Sequence, residues 1–309
     1  RCVFIGEWRE EFTDWGFTGR NPEPLMHRLH YVRAFKTEYE LECMRRASRM
    51  AARGHKAAEA AFRAGASEYE INMAYILATG QTENELPYPN IVGLNANSAV
   101  LHYQNQERTA PAQLRSFLID AGAQFNGYAA DITRTYSREN DDFAALIKAL
   151  DTEQLGMSAE VRAGVDYADI HLGAHRRIAK ILRDFDVIEA SPDEALATGL
   201  SSVFFPHGIG HLLGLQVHDV AGFTVTPDGQ QKARPQGHPY LRLTRTLEPG
   251  FVVTIEPGLY FIEQLLSEAR TSPLGKQINW QQVERFKPYG GARIEDDVVM
   301  HSLSRKILL

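Results

Sequence analysis

Asn126-Gly127 stands between two runs of strand-forming residues, Ser116–Gln124 and Tyr128–Tyr136, and this pairing is the strongest short-range hairpin signal a sequence offers. With those two residues as the turn, Phe125 faces Tyr128 and Gly122 faces Asp131. Asp120 then lies two residues from that pairing, on the same sheet face as Asp131, a diagonal neighbour about 7–8 Å away at the backbone. Each aspartate is a charge inside an apolar strand, Phe117-Leu118-Ile119-Asp120 and Tyr128-Ala129-Ala130-Asp131-Ile132. Burial there is costly unless the charge is paired or bound to a metal. The two carboxylates could converge on a metal pair about 3.5–4 Å apart. A one-residue change in the turn would send them to opposite faces. A solvated strand face is the ordinary fate of an aspartate, and two on one hairpin weaken that reading.

The surrounding chain sorts into helical and strand regions. Thr37 with Glu40 forms a capping box that opens a helix running to about Ala64, and Ser67 with Glu70 opens a second that ends near Gly80. Residues 141–186 read as two helices broken near Gly164. Strand character falls at Ile91–Leu94, Ala99–Tyr103, Val203–Phe205, Phe251–Ile255, Leu259–Ile262 and Ala292–Met300. Helices segregated from strands that are mostly hairpin-linked favour an α+β fold over alternating βαβ units. At the front, Arg1 is not an initiating residue and Cys2-Val3-Phe4-Ile5-Gly6 reads as the last strand of a preceding segment. Residues 1–20 are therefore expected to be the remnant of an N-terminal domain. Asn21-Pro22-Glu23-Pro24 marks 21–36 as a linker, and 37–309 form the main domain.

Bulk properties exclude several classes. A chain of 309 residues can bury most of its surface without a disulfide or structural metal, so a metal here calls for a catalytic explanation. The net charge of −6 leaves no basic footprint for nucleic acid. Cys2 and Cys43 share no motif, which excludes a disulfide framework and a paired-cysteine zinc site. Low cysteine use fits a reducing cytoplasm. No apolar run reaches the roughly 18–20 residues of a membrane span.

Further carboxylates repeat the pattern of charge in apolar strand. Glu256 follows Val252-Val253-Thr254-Ile255, and Glu295 follows Gly291-Ala292-Arg293-Ile294. Singly, each fits a salt bridge as well as a metal ligand. Asp296 and Asp297 are expected to face solvent or to pair with Arg293. The densest signal is Pro206-His207-Gly208-Ile209-Gly210-His211, which continues through Leu215 to Gln216-Val217-His218-Asp219. It places three histidines in twelve residues, among glycines that allow close backbone approach. It is neither a dinucleotide-binding loop, being off by one with no βαβ unit around it, nor the paired-histidine helix of a zinc peptidase. His27, His30, His55, His171, His175, His238 and His301 show no partner, so a surface or core role is their default. His171 and His175, four apart on a helix, could bind zinc, but no third ligand is evident.

The segments FLIDAGAQFNGYAADITRTY, PHGIGHLLGLQVHD, LEPGFVVTIEPGLYF and GGARIEDDV, in this order, resemble the pita-bread metallopeptidases from about Asn21 to the end. Among these the resemblance is to the bacterial Xaa-Pro dipeptidases (prolidases), some also known as organophosphorus acid anhydrolases. It implies a creatinase/aminopeptidase-like catalytic domain, a mostly antiparallel curved sheet flanked by helices. It implies five metal ligands, Asp120, Asp131, His211, Glu256 and Glu295, with Asp131 and Glu295 shared between two ions. His102, His207 and His218 resemble the family's substrate and supporting histidines. Arg242 falls where prolidases hold the dipeptide's carboxylate, Arg293 resembles an orienting arginine beside a ligand, and Tyr88 a pocket tyrosine at the substrate's N-terminal end. The family is dimeric, so a homodimer is expected.

The expected activity is hydrolysis of Xaa-Pro dipeptides by a hydroxide bridging two divalent ions. Four carboxylates and one imidazole suit Mn²⁺ best, with Co²⁺ or Zn²⁺ as alternatives. Glu256 would pass the proton to the leaving proline nitrogen, and His218 and His207 would stabilise the oxyanion. An aminopeptidase of the same fold would not need Arg242 as a carboxylate anchor. A creatinase-like hydrolase or a non-catalytic binding protein would be expected to lack part of the ligand set, which is intact. A side activity on organophosphorus esters is compatible with the same nucleophile.

Overall fold

The computed structural model describes residues 2–300 and 305–308, so His301 lies outside the described residues. Residues 21–36, expected as a linker, instead carry helix α1 (Glu23–Arg33). The prolines explain the difference. Proline at a helix start gives up only an N–H that has no helical partner, so Pro22 and Pro24 begin this helix rather than break it.

Both expected capping boxes are present. Glu40 reaches the Thr37 N–H at 2.7 Å to open α2 (Glu38–Ala64), and Glu70 reaches the Ser67 N–H at 2.8 Å to open α3 (Glu68–Thr79). Helix α2 buries Leu41, Met44, Ala47, Ala51, Ala58 and Phe62 along one stripe, the three- and four-residue spacing of an amphipathic helix. Phe62 and Ala58 pack with Ile71 and Tyr75 of α3 over the first strands.

Strand β1 (Ile91–Leu94) pairs with β2 (Ser116–Asp120). The hairpin then continues through β3 (Gln124–Phe125) and β4 (Tyr128–Ala129) to β5 (Thr133–Ser137). Phe125 faces Tyr128 as the turn predicts, and Asp120 faces Thr133 in the same unbroken register. Asn126 and Gly127 take φ of 52° and 82°, the left-handed pair that a two-residue hairpin turn requires. Residues 99–103, expected as a strand, instead leave a short 3₁₀ turn at Asn95–Ala99. Gly93 leaves no room for a side chain beneath that turn: an added Cβ would lie 2.9 Å from the Ser98 nitrogen.

Helices α4 (Asp142–Glu160), α5 (Tyr167–Asp184), α6 (Pro192–Thr198) and α7 (Leu200–Phe204) follow. Helix α7 replaces the expected strand at 203–205. A short apolar run does not distinguish the two states, and here Leu200, Ser201 and Phe204 are buried at helical spacing. The last part of the chain adds β6 (Val252–Ile255), β7 (Gly258–Tyr260), α8 (Glu263–Arg270), α9 (Trp280–Phe286), β8 (Gly291–Arg293), β9 (Asp296–Met300) and β10 (Arg305–Ile307).

Every described strand pair is antiparallel. From β1 the order runs β2, β5, then β8 and β9 through the Thr133–Glu295 bridge, then β6 and β7, then residues 209–213 through the Leu212–Val253 bridge. The largest core lies between α4–α7 and β6–β9, centred on Leu146, Ile178, Phe204, Val253 and Val298. The α+β expectation therefore holds. Among the described residues no helix is long and apolar enough to cross a membrane.

Gly127→Ala tests the turn. A Cβ at that position would meet only Leu215 at an ordinary 3.5 Å, so the cost of about 1–2 kcal/mol comes from the left-handed backbone alone. Denaturant unfolding should report it, and an unchanged midpoint would show that this turn does not hold the register.

Candidate metal centre

Five ligand-type side chains sit where the strands break. Asp120 ends β2, Asp131 lies between β4 and β5, Glu256 between β6 and β7, and Glu295 between β8 and β9. His211 lies on the edge segment, whose backbone accepts from Thr254 N–H at 3.0 Å and from Glu256 N–H, through Ile209, at 2.9 Å. The register lines them up. Asp120 faces Thr133, Thr133 faces Glu295, and the ladder shared by β6/β7 and β8/β9 puts Glu295 opposite Glu256. Strand side chains alternate between faces, so residues that face each other or stand two apart share a face. All five therefore point to the same side.

They also converge in space. Asp131, His211 and Glu295 each offer a ligand atom within 4.8 Å of the other two. His211 Nε2 is 3.4 Å from Asp131 Oδ2 and 3.8 Å from Glu256 Oε1. The His211 Nδ1–H donates to the Leu212 carbonyl at 3.0 Å, which leaves the Nε2 lone pair aimed at the carboxylates, as a metal-ligating imidazole requires. Gly210 makes this approach possible: a Cβ there would lie 2.3 Å from the Thr254 oxygen and 2.3 Å from the Tyr167 hydroxyl.

Protein cations balance only part of this charge. Arg293 Nη2 donates to Asp120 Oδ2 at 2.7 Å and its Nη1 to the Tyr260 hydroxyl at 2.7 Å. Burial pushes the Glu256 carboxyl up to about 7, with Asp131 and Asp120 adding to the shift against His211 and Arg293. Burial also lifts Glu295 well above the carboxylate range, again with Asp131 and Glu256 repelling it, and raises Asp120. Burial acts on Asp131 the same way but is outweighed by the His211 hydrogen bond and charge, which hold it low. Carboxylates driven toward protonation by burial and then by one another are the donor set of an oxygen-liganded cation site. The residues present thus fit a pair of hard divalent ions.

Around this cluster lies a cavity of about 480 Å³, whose walls include His102, His207, His218, Tyr240, Arg242 and Arg293 beside four of the carboxylates. Arg242 is exposed, and its side chain makes no hydrogen bond or ion pair among the described residues. Arg245, three residues on, is buried against Tyr31, Phe35 and Phe251 instead. His218 stacks edge-on against His211 at 4.4 Å between ring centroids, and its ring nitrogens make no hydrogen bond among the described residues. Its loop is held by Asp219, which accepts from Arg33 at 2.5 Å and from buried Lys36 at 3.4 Å.

Three expectations are modified. Both ring nitrogens of His207 are engaged, Nδ1 with the Gly208 carbonyl at 2.8 Å and Nε2 with the Tyr260 hydroxyl at 2.9 Å. Tyr88 is not among the cavity-lining side chains. Its hydroxyl sits between the two aspartates, 2.9 Å from Asp120 Oδ1 and 2.5 Å from Asp131 Oδ1. Asp296 and Asp297 neither face solvent nor pair with Arg293: both are buried, Asp296 against Arg134 at 2.6 Å and Asp297 accepting the Asp131 N–H at 3.1 Å. Sequence reasoning missed Thr133, which donates to Glu295 Oε2 at 2.7 Å, and Tyr260. It could have found Asp297, two residues past Glu295 and hence on the same strand face.

Comparison with known proteins agrees with this geometry. The model of metallopeptidase family M24 matches residues 42–302. The chain is 57% identical over 300 residues to the Xaa-Pro dipeptidase of Xanthomonas oryzae pv. oryzae, covering 97% of this chain and 68% of that one. Escherichia coli aminopeptidase P in its low-pH form superposes with a TM-score of 0.73 at 28% identity, covering 94% of this chain. A zinc-substituted form of that enzyme in complex with product gives 0.72 at 28% identity. The chain spans 59% of the length of both solved aminopeptidases.

The raised carboxyls set a pH dependence. Glu256, Glu295 and Asp120 bind protons more tightly folded than unfolded, so their contribution to stability is present at low pH and lost as pH rises through their raised values, for Glu256 toward about 7. The raised His211 acts in the same direction. Buried His171, His175, His207 and His218, held well below the usual imidazole range chiefly by desolvation, act in the opposite direction, so the carboxyl contribution is read by comparing metal-free wild type with Glu256→Gln. Wild type should lose stability relative to the variant between pH 5.5 and pH 7, by roughly 1.4 kcal/mol per pH unit, in a calorimetric Tm series. A difference between the two that stays constant over this range would contradict the electrostatic reading.

Proposed function

The chain belongs to metallopeptidase family M24, and on that premise we propose that it hydrolyses Xaa-Pro dipeptides at a two-metal centre. The observation that carries the reading is Arg242. It is a guanidinium with no protein partner among the described residues, on the wall of the cavity that holds the carboxylate cluster. A bidentate arginine–carboxylate contact would fix a free peptide C-terminus in both charge and direction. Likeness to a curated Xaa-Pro dipeptidase supports the same choice of substrate.

In this reading Asp120, Asp131, His211, Glu256 and Glu295 hold two divalent ions. Mn²⁺ suits the oxygen-rich set best, with Co²⁺ or Zn²⁺ as alternatives. When bound, the pair supplies Lewis-acid polarisation of the scissile carbonyl and lowers the pKa of the attacking water. Arg242 holds the proline carboxylate, which seats the preceding carbonyl over the cluster. His218, whose ring nitrogens have no hydrogen-bond partner among the described residues and which burial and His211 keep neutral, donates to the carbonyl oxygen as negative charge develops there. Glu256 takes a proton from the water and delivers it to the proline nitrogen as the C–N bond breaks. His207, engaged on both nitrogens, orients Tyr260 and through it Arg293, and Tyr88 steadies the two aspartates. Hydrolysis of organophosphorus esters would use the same centre as a side activity.

The second reading is an Xaa-Pro aminopeptidase, favoured by the fold likeness to aminopeptidase P. Arg242→Met separates the two. Losing the carboxylate partner should lower kcat/KM for Xaa-Pro dipeptides by about 2–4 kcal/mol while hardly changing Xaa-Pro amides or Xaa-Pro-Xaa tripeptides. Equal loss on all three, or wild-type cleavage of tripeptides as fast as dipeptides, favours the aminopeptidase. Independently, chelation should abolish hydrolysis and Mn²⁺ restore it, and full activity in metal-free protein would end the two-metal reading. His218→Ala should lower kcat far more than it raises KM, whereas a change in KM alone would move His218 to substrate binding.

A further inference from the structure

Three of the histidines that show no partner in the sequence meet behind the cavity wall. His171 and His175 lie one turn apart on the inner face of α5 and are buried, and His238 comes from the loop before Arg242. Their ring centroids form a near-equilateral triangle with sides of 4.7, 4.7 and 4.6 Å. A ring nitrogen from each lies within 4.8 Å of the other two.

We propose that His171, His175 and His238 form a second metal site, separate from the carboxylate cluster, for one imidazole-preferring transition ion of the Zn²⁺ or Co²⁺ class. Three imidazoles with no carboxylate select such ions over Mn²⁺ or Mg²⁺, which favour oxygen donors. Two histidines four apart on one helix face, closed by a third ligand, are a recurrent zinc-binding arrangement.

The supporting contacts fit. His175 Nδ1 is held by the Ser201 hydroxyl at 2.9 Å, the kind of outer hydrogen bond that fixes which nitrogen of a ligating imidazole faces the ion. His171 Nδ1 is buried with no hydrogen-bond partner among the described residues, so only the contact at Nε2, the nitrogen facing the other two rings, fixes this ring's orientation. Burial and the neighbouring rings hold His171 down to about 2 and His175 to about 3. The rings are therefore neutral at pH 7, the form that binds metal. His171 Nε2 and His238 Nδ1 stand 2.9 Å apart in a direct hydrogen bond. Two nitrogens on a tetrahedral Zn²⁺ stand about 3.3 Å apart, so the pair must part by a few tenths of an ångström. His238 can make that move, being half-buried in a loop beside exposed Gln236 and Gly237. Its partial exposure also leaves a route in for the ion and room for water as a fourth ligand. Ion binding there would fasten the loop bearing Pro239, Tyr240 and Arg242 to α5.

The 309-residue chain is loaded with saturating Mn²⁺ and titrated with Co²⁺, with metal content and visible absorption as readouts. Wild type should take up one equivalent more Co²⁺ than His238→Ala. The difference spectrum should show the intense bands of four-coordinate, nitrogen-ligated cobalt. His175→Ala should lose the same signal. Competition with a chelator should give at least tenfold weaker Co²⁺ binding in each variant, while Mn²⁺ content stays as in wild type. If His175→Ala fails to fold, His238→Ala, altered in an accessible loop, decides alone. A wild-type spectrum indistinguishable from that of His238→Ala, or equal Co²⁺ uptake by the two, overturns the site.

Discussion

Carboxylates crowded on one sheet face repel one another, and the architecture around them answers that repulsion. Asp131, Glu256 and Glu295 come within reach of His211, and Asp120 is tied to Asp131 through the Tyr88 hydroxyl, in a buried region where like charges are only weakly screened. The fold neutralises part of this with Arg293 on Asp120 and supplies hydrogen bonds from the Tyr88 and Thr133 hydroxyls. The remainder shows as Glu256 and Glu295 displaced toward protonation. The surrounding strands and the close glycine at 210 hold in place a cluster that would otherwise spread apart. Its stability is then completed from outside the polypeptide, by divalent cations.

How much of this was legible depends on whether the signal was local. The hairpin register was, because a two-residue turn fixes every pairing behind it, and Asp120 opposite Thr133 follows from Asn126-Gly127. The capping boxes at Thr37 and Ser67 were legible for the same reason. Helix α1 was misread because proline marks both loops and helix starts. Helix α7 was misread because three consecutive apolar residues carry no period. The buried setting of Asp296 and Asp297 depends on Arg134 and on the Asp131 backbone, groups far away in sequence. The third histidine beside His171 and His175 was invisible because 62 residues of chain lie between His175 and His238. Resemblance contributed the grouping of Glu256, Glu295 and His211 with the hairpin; single-strand patterns left each open to a salt-bridge reading.

The segment between residues 21 and 36 is more than a connection. Arg33 and Lys36 both grip Asp219, and Lys36 does so while buried, where its ammonium is held below its usual pKa by desolvation despite the carboxylate beside it. Removing Asp219 would strand that charge, an arrangement that resists substitution of either partner alone. The grip positions His218, whose ring makes no hydrogen bond of its own among the described residues. The orientation of a cavity histidine therefore rests on a helix that the sequence presents as a spacer.

The line of strands that carries the five ligand-type side chains also orders events during synthesis. Its first ligand is at position 120 and its last at 295, and the Thr133–Glu295 bridge at its middle joins residues 162 apart in sequence. While the chain is being made, the hairpin can close as soon as Tyr136 emerges, but it presents two aspartates and no imidazole. His211 and Glu256 arrive much later, and Glu295 last of the five. A growing chain thus lacks the full donor set until the strand that follows Glu295 has left the ribosome, so tight metal capture waits for that strand.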